Sequence, residues 1–186
     1  MNHWEVLGLP VQLALTPEEI EAAFRAASEG AHPDAGGEAG QFERLREAHD
    51  GLRDEYQRLE QWLRENDVAV AHSGAVSEEV GGMFGRVSEV LAGVDDWLGK
   101  GESVSSTLGK ALWQKEGFAW KSRVEELLQE VNDWQERVTA TFPKLEELAR
   151  SGDFAEALRV RGELGFLRKW KAQLQAHYGK LWEGLV

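Results

Sequence analysis

Apolar side chains recur at intervals of three and four residues along most of the chain, which is the spacing that places them on one face of an α-helix. The stretch 42–63 carries such a stripe over several turns, and further stripes follow at 83–98, 112–142 and 154–185. No stretch alternates apolar and polar residues in the way of a half-buried strand. The pattern therefore predicts an all-α fold.

Proline and glycine divide the pattern into separate helices. The sequence Thr16-Pro17-Glu18-Glu19 supplies a capping hydroxyl, a proline in the first turn and carboxylates at the positive end of the helix dipole, which together favour a helix start. The segment from Gly30 to Pro33 ends that helix. The stripe over 42–63 then predicts one long amphipathic helix.

The composition changes after residue 66, where small and polar residues replace the apolar stripe. We therefore predict a small helical domain at 1–66, a linker at 67–77, and an elongated bundle of three to four helices at 78–186. The first helix of that bundle places three apolar residues in the core: Met83, Phe84 and Val87.

Charge and composition narrow the classes of function. The chain carries 33 acidic and 21 basic residues, for a formal charge of −12, and contains no cysteine. This charge argues against nucleic acid and anionic membranes as partners, and the lack of cysteine excludes disulfides and thiolate metal sites. A leader would begin with basic residues, and a membrane span would need an apolar run of about 18 residues. The sequence has neither pattern, so we expect neither segment. We expect a cytoplasmic protein.

Catalytic and metal-binding patterns are missing from the sequence. The five histidines are scattered, and none forms an i, i+4 pair beside a carboxylate, as a metal site would require. No glycine-rich phosphate loop and no nucleophile with its base occurs, and the eight tryptophans stand at helical spacing, which is typical of packing residues. The sequence predicts neither an enzyme nor a cofactor or metal site.

The segment HPDAGG at 32–37 is the most distinctive short motif. Taken alone, it is a proline and glycine loop between two helices. The flanking sequence gives the motif more weight, because HWEVLGLP at 3–10 precedes it and FERLREAHDGL at 42–52 follows it. Together the three segments resemble the J-domain family along nearly the whole length of that domain. The matched positions are Trp4, Leu7, Gly8, Phe24, Phe42, Leu45, Ala48, His49 and Leu52.

The resemblance implies that this part of the chain docks on a DnaK-type chaperone and stimulates its ATPase. The loop residues His32, Pro33 and Asp34 would make the stimulating contact. Members of the family also use basic residues of the preceding helix, and Arg25 is the basic residue of 17–31.

The C-terminal segment 153–183 is similar to the last helix of the iron-sulfur co-chaperone HscB family, through Leu164, Phe166, Leu167 and the basic residues that follow. That family has a J-domain, a brief linker and a helical bundle that delivers an IscU-type scaffold to an HscA-type chaperone. Phe166 stands at the position of a scaffold-contacting phenylalanine. The alternative is that Phe166 only broadens the core stripe.

A second hypothesis rests on charge. Residues 17–31 hold four glutamates against Arg25, and alanines stand at positions 31 and 35 beside the motif, where the J-domain family commonly has an aromatic and a basic residue. Steering toward an acidic groove on the chaperone would then be weak. The protein is in that case a helical adaptor or assembly protein with a degenerate J-like domain.

Overall fold

The computed structural model of the chain describes residues 1–29, 40–70, 77–101 and 103–186. Regular secondary structure within those ranges is helical throughout, which confirms the predicted all-α fold class. The helices are α1 (His3–Val6), α2 (Pro17–Ser28), α3 (Gln41–Arg53), α4 (Glu55–Glu65), α5 (Glu78–Gly101), α6 (Thr107–Thr139), α7 (Phe142–Ala149) and α8 (Ala155–Leu185). Among the described residues, no helix combines the length and apolar character that crossing a membrane requires.

The predicted start of α2 is confirmed by its capping geometry. The Thr16 hydroxyl accepts a hydrogen bond from the Glu19 backbone N–H at 3.2 Å, and the Glu19 carboxylate accepts one from the Thr16 N–H at 2.8 Å. Pro17 occupies the first turn, where it needs no hydrogen-bond acceptor. This reciprocal cap satisfies two backbone donors that the helix itself leaves free.

The prediction of one long helix over 42–63 is wrong, because α3 ends at Arg53 and α4 begins at Glu55. Asp54 between them is extended, with φ −78° and ψ 108°. Its carboxylate accepts a hydrogen bond from the Gln57 backbone N–H at 2.9 Å. The side chain thereby caps α4, and this local bond competes with a continuous helix.

The chain forms two compact units. The first comprises residues 1–74 with 138–164, and the second comprises 75–137 with 165–186. Helix α7 and the start of α8 therefore belong with the N-terminal helices in the first unit. The functional division into 1–66, 67–77 and 78–186 stays a prediction.

The first unit joins its two chain segments through specific contacts. The Glu146 carboxylate in α7 accepts hydrogen bonds from the backbone N–H groups of Leu13 and Ala14. The ring of Trp62 in α4 lies 5.8 Å from the ring of Phe154, which precedes α8. These contacts satisfy two backbone donors that precede α2 and bring Phe154 against the buried Trp62.

Two buried arginines add polar contacts within the first unit. Arg161 in α8 lies 2.7 Å from the Glu60 carboxylate and donates to the Tyr56 hydroxyl at 3.0 Å. Arg58 in α4 donates to the Leu15 carbonyl at 3.1 Å and lies 5.5 Å from the ring centre of Phe142. Burial lowers the pKa of Arg58 from its ordinary value, which is the expected effect of desolvating a cation.

The second unit packs the apolar faces of α5, α6 and α8 together. Buried residues include Val80, Met83, Val87, Val94, Val124, Leu127, Val131, Leu167, Leu174 and Leu181. The predicted core positions of Met83 and Val87 are thus confirmed. The core position of Phe84 is wrong, because its side chain is 57% exposed. Phe84 follows Met83 directly and so points about 100° away from it around the helix.

Tryptophans and glycines fit together in the second unit. The rings of Trp97 and Trp113 stack at 4.2 Å with an interplanar angle of 6°, and each indole N–H donates to the other residue's backbone carbonyl. A Cβ atom at Gly117 would lie 2.3 Å from the Trp97 ring, and one at Gly93 would lie 2.2 Å from the Trp120 ring. These glycines therefore provide the space that the indoles fill.

Replacing Gly93 with alanine tests this packing. Although alanine favours a helix, we expect Gly93→Ala to destabilise the protein by about 1 to 3 kcal/mol, because the methyl group displaces the Trp120 ring. Gly85→Ala is the matched control in the same helix, since a Cβ there meets nothing within 4 Å. The control should raise stability by up to about 1 kcal/mol. Urea unfolding of both variants measures the difference, and equal shifts would contradict the packing role.

Candidate functional site

Helices α2 and α3 form an antiparallel hairpin. The Phe24 ring in α2 lies 6.1 Å from the Phe42 ring and 4.6 Å from the His49 ring, both in α3. Glu21, about one turn earlier in α2, contacts His49, which lies toward the end of α3. Residues near the end of α2 therefore contact residues near the start of α3, and earlier residues of α2 contact later residues of α3. The end of α2 and the start of α3 thus lie side by side.

The buried ring of His49 connects the two helices of the hairpin. Its Nε2 lies 3.1 Å from the Glu21 carboxylate, and its Nδ1 lies 3.0 Å from the Asp50 carboxylate. Each ring nitrogen therefore lies within hydrogen-bond distance of a carboxylate. The ring also packs on Phe24. His49 thus combines the packing of an aromatic residue with a polar link to α2.

The predicted docking loop lies between these helices in the chain. His32, Pro33 and Asp34 fall outside the described residues, so their assignment to chaperone contact stays a prediction. The described chain before the loop includes Glu29, and after the loop it resumes at Gly40, whose φ of 84° favours glycine.

Arg25 is exposed on α2, near the end of the helix that leads into the predicted loop. It forms no ion pair with any other residue in the described ranges. Glu18 and Glu19 in the first turn of this helix, and Glu29 directly after its last residue, are also exposed. The acidic side chains predicted for this segment therefore face solvent, and so does the basic side chain of Arg25.

Phe166 lies at the edge of the core of the second unit. Its ring is half-buried and lies 5.7 Å from the ring of Trp170 on the same helix. The Trp170 ring is in turn 6.2 Å from the ring of Trp134 in α6. Leu164 and Leu167 on either side are buried. Phe166 therefore both contacts core aromatics and presents part of its ring to solvent.

A groove of about 340 Å³ opens between α5 and α6 in the same unit. Met83 and Trp134 provide apolar lining, and Arg86 forms a two-pronged ion pair with Glu130 at 2.6 and 2.5 Å. The hydrogen bonds in this pair raise the pKa of Arg86 and lower that of Glu130. Trp134 links the groove to the aromatic contacts beside Phe166.

Sequence reasoning missed this groove and its ion pair. Arg86 and Glu130 stand 44 residues apart, and no local spacing signals a contact between charges on two different helices. The described residues also contain no cluster of three or more histidine or acidic side chains that could hold a metal ion.

Comparison with solved structures identifies a similar fold. Chaperone HscB from Vibrio cholerae superimposes with a TM-score of 0.55 and 18% sequence identity, over 97% of this chain and 99% of that chain. No family model matches the sequence, and no curated protein matches it. The fold is therefore HscB-like, with a helical N-terminal part followed by a helical bundle, as the sequence predicted.

Helix α1 packs against α3 through His3, and we expect this contact to make the stability of the first unit depend on pH. A Cβ at Gly51 would lie 2.4 Å from the His3 ring. Burial lowers the pKa of His3 from its ordinary value of 6.5, and Glu47 opposes part of the shift. The unfolded chain therefore takes up a proton at His3 more readily than the folded chain. The stabilising contribution is present above the unfolded pKa and is lost as the pH falls below it.

We expect His3→Gln to weaken this pH dependence, because glutamine does not titrate. The free energy of unfolding should decline less for the variant than for the wild type between about pH 8 and about pH 5. Urea unfolding at a series of pH values measures both declines. Parallel declines in the two proteins would show that His3 does not carry the effect.

Proposed function

We propose that the protein is an HscB-like J-domain co-chaperone. It docks on a DnaK- or HscA-type chaperone, stimulates its ATPase and delivers a client such as an iron-sulfur cluster scaffold of the IscU type. The observation that carries the proposal is the likeness of the fold to a chaperone HscB over 97% of this chain and 99% of that one. The His-Pro-Asp motif between the two helices of an antiparallel hairpin adds to it.

In this proposal the N-terminal domain, residues 1–66, engages the chaperone. The docking set is His32, Pro33 and Asp34 in the loop, with Arg25 on α2. Proline restricts its own backbone and that of the residue before it. The contacts of Phe24 and His49 hold the two helices together. A motif that contains a proline has less backbone freedom to lose on binding, which favours association.

The acidic surface of α2 shapes this interaction. Exposed Glu18, Glu19 and Glu29 outnumber Arg25 along this segment, so attraction to an acidic chaperone groove is small. We therefore expect the docking rate to depend weakly on salt. The proposed chaperone partner presents a groove that tolerates these carboxylates.

The C-terminal part, residues 78–186, holds the client in this proposal, and residues 67–77 link the two functions. Phe166 is the proposed client contact, because part of its ring faces solvent while Trp170 and the core fix its orientation. A side chain that is already oriented has little entropy to lose on binding. We further propose that the protein acts in the cytoplasm, and that it carries out no reaction and binds no cofactor of its own.

The acidic α2 also favours a second candidate function. A helical adaptor or assembly protein would keep the J-like hairpin as a packing module and use no chaperone. Mutation of His32 distinguishes the two functions. A co-chaperone loses its chaperone interaction at unchanged thermal stability, whereas an adaptor in which His32 caps a helix loses stability alone.

The direct test of the docking loop is Asp34→Asn, which removes the negative charge and keeps the shape of the side chain. We expect the wild type to increase ATP turnover of a DnaK- or HscA-type chaperone, and the variant to lose most of that increase. Steady-state phosphate release measures the rates.

Asp67→Asn is the matched control for this assay. Asp67 is exposed and adopts a positive φ of 58°, a conformation that asparagine also tolerates. The control should stimulate like the wild type. Equal turnover with and without the wild-type protein would contradict the co-chaperone function and favour the adaptor.

Phe166→Ala tests the client half. We expect binding of an IscU-type scaffold to weaken by roughly 1 to 2 kcal/mol if the ring anchors the contact. Calorimetric titration measures the affinity, and Phe42→Ala is the control, since Phe42 is a partly exposed phenylalanine of the first unit. Unchanged affinity for Phe166→Ala would restrict Phe166 to a packing role.

A further inference from the structure

His177 in α8 places both of its ring nitrogens against oxygen atoms. Its Nδ1 lies 2.8 Å from the backbone carbonyl oxygen of Gln173, one turn earlier in the same helix. Its Nε2 lies 3.2 Å from a carboxylate oxygen of Asp95 in α5. The His177 side chain is only 14% exposed, so little water reaches the ring. The imidazole therefore connects two helices of the second unit.

The two oxygen partners determine where the ring protons lie. A backbone carbonyl only accepts hydrogen bonds, so Nδ1 of His177 carries a proton in its contact with Gln173. A neutral imidazole has one ring proton, so its Nε2 then presents a lone pair to the Asp95 carboxylate, which is also an acceptor. When the ring takes up a second proton, the same contact becomes a hydrogen bond between opposite charges. The sign of this contact therefore depends on the charge of the ring.

Asp95 has a second cationic neighbour on α8. The Lys180 ammonium lies 3.8 Å from the carboxylate oxygen that faces His177. Lysine and aspartate both stay charged near neutral pH, so this pair contributes equally across that range. Asp96, the next residue of α5, is paired with Lys100 of its own helix at 2.5 Å. Asp95 is therefore the carboxylate of α5 that the imidazole meets.

The charged groups of α6 that contact the next residue, Tyr178, are paired with each other. The Tyr178 hydroxyl donates to the Glu125 carboxylate at 3.0 Å, and the Lys121 ammonium lies 2.6 Å from the same oxygen. These hydrogen bonds raise the pKa of Lys121 and lower the pKa of Glu125, so both groups stay ionised near neutral pH. Among the groups named around this contact, the imidazole is the one that changes charge between about pH 5 and 8.

We propose that His177 is a pH-sensitive link between α5 and α8. Toward about pH 5 the ring carries two protons, donates to Gln173 and Asp95, and ties the two helices together. Toward about pH 8 the Nε2 proton is lost, the two facing acceptors repel, and Lys180 remains as the cation beside Asp95. Closing the link favours the bound proton, so its contribution is present at low pH and is lost as the pH rises. The link lies within the second unit and does not depend on chaperone docking.

The link acts in the opposite direction to the pH dependence expected at His3. Protonation of His3 destabilises the first unit, because burial lowers the pKa of its ring, whereas protonation of His177 stabilises the second unit. Both contributions enter the pH dependence of the whole protein. A double-mutant cycle separates them, because His3 is present in all four of its proteins and its contribution cancels.

A cycle of Asp95→Ala, His177→Phe and the double variant of the full-length protein tests the proposal. Phenylalanine keeps a ring at position 177 and carries no nitrogen. From urea unfolding, we expect a favourable coupling free energy between the two positions at about pH 5.5, and at most about half of it at about pH 8. The control cycle uses Asp96→Ala in place of Asp95→Ala and should show no coupling. Coupling that is absent, independent of pH, larger at the higher pH or equal in the two cycles would overturn the proposal.

Nitrogen-15 magnetic resonance of the histidine rings gives a second readout that needs no variant. We expect both ring nitrogens of His177 in the wild type to carry protons at about pH 5, and the single proton of the neutral ring at about pH 8 to lie on Nδ1. A neutral ring with its proton on Nε2 would overturn the proposal. Ring nitrogens in the same protonation state at both pH values would also overturn it.

Discussion

The contact between Phe24 and His49 is the interaction on which the N-terminal half of this protein depends. Their rings lie 4.6 Å apart, and the imidazole reaches the Glu21 and Asp50 carboxylates at hydrogen-bond distance. The contact of His49 with Glu21 joins α3 to α2, and its defined geometry adds to the ring packing in fixing the register of the two helices. This register sets the relative positions of the end of α2 and the start of α3, between which the predicted docking motif lies in the chain.

The second half of the protein is organised by a different constraint, the fit of indoles against glycines. Trp97 and Trp113 exchange hydrogen bonds with each other's backbone carbonyls, and Gly93 and Gly117 leave room for neighbouring rings. Such contacts satisfy the polar edge of a large apolar ring inside a core. The bundle can therefore expose Phe84 and Trp182 and still keep a well-packed interior.

Sequence patterns predicted the helices well where the determinants are local. Thr16 and Glu19 identify the start of α2 because a capping box involves residues three positions apart. The break between α3 and α4 also has a local cause, the capping of α4 by Asp54. It was not predicted, because the apolar stripe continues across it. The exposure of Phe84 could not be predicted, because periodicity does not fix the edges of a buried face.

Contacts between distant segments were beyond the reach of the sequence. The ion pair of Arg86 with Glu130 joins different helices, and nothing near Glu146 indicates that its carboxylate holds the backbone at Leu13. The grouping of 138–164 with the N-terminal helices depends on such contacts. The site residues were predicted from their resemblance to family motifs. Such a resemblance suggests which residue makes a contact, but it does not predict which side chains pack around that residue.

We propose that the α2–α3 hairpin and its connecting segment form the chaperone-docking surface. Nuclear magnetic resonance of the isotope-labelled full-length protein, titrated with the ATPase domain of a DnaK- or HscA-type chaperone, tests it most directly. We expect the perturbed amides to concentrate in residues 17–40 and along the adjoining face of α3. Perturbations confined to residues 78–186, or a spectrum that the chaperone leaves unchanged, would contradict it.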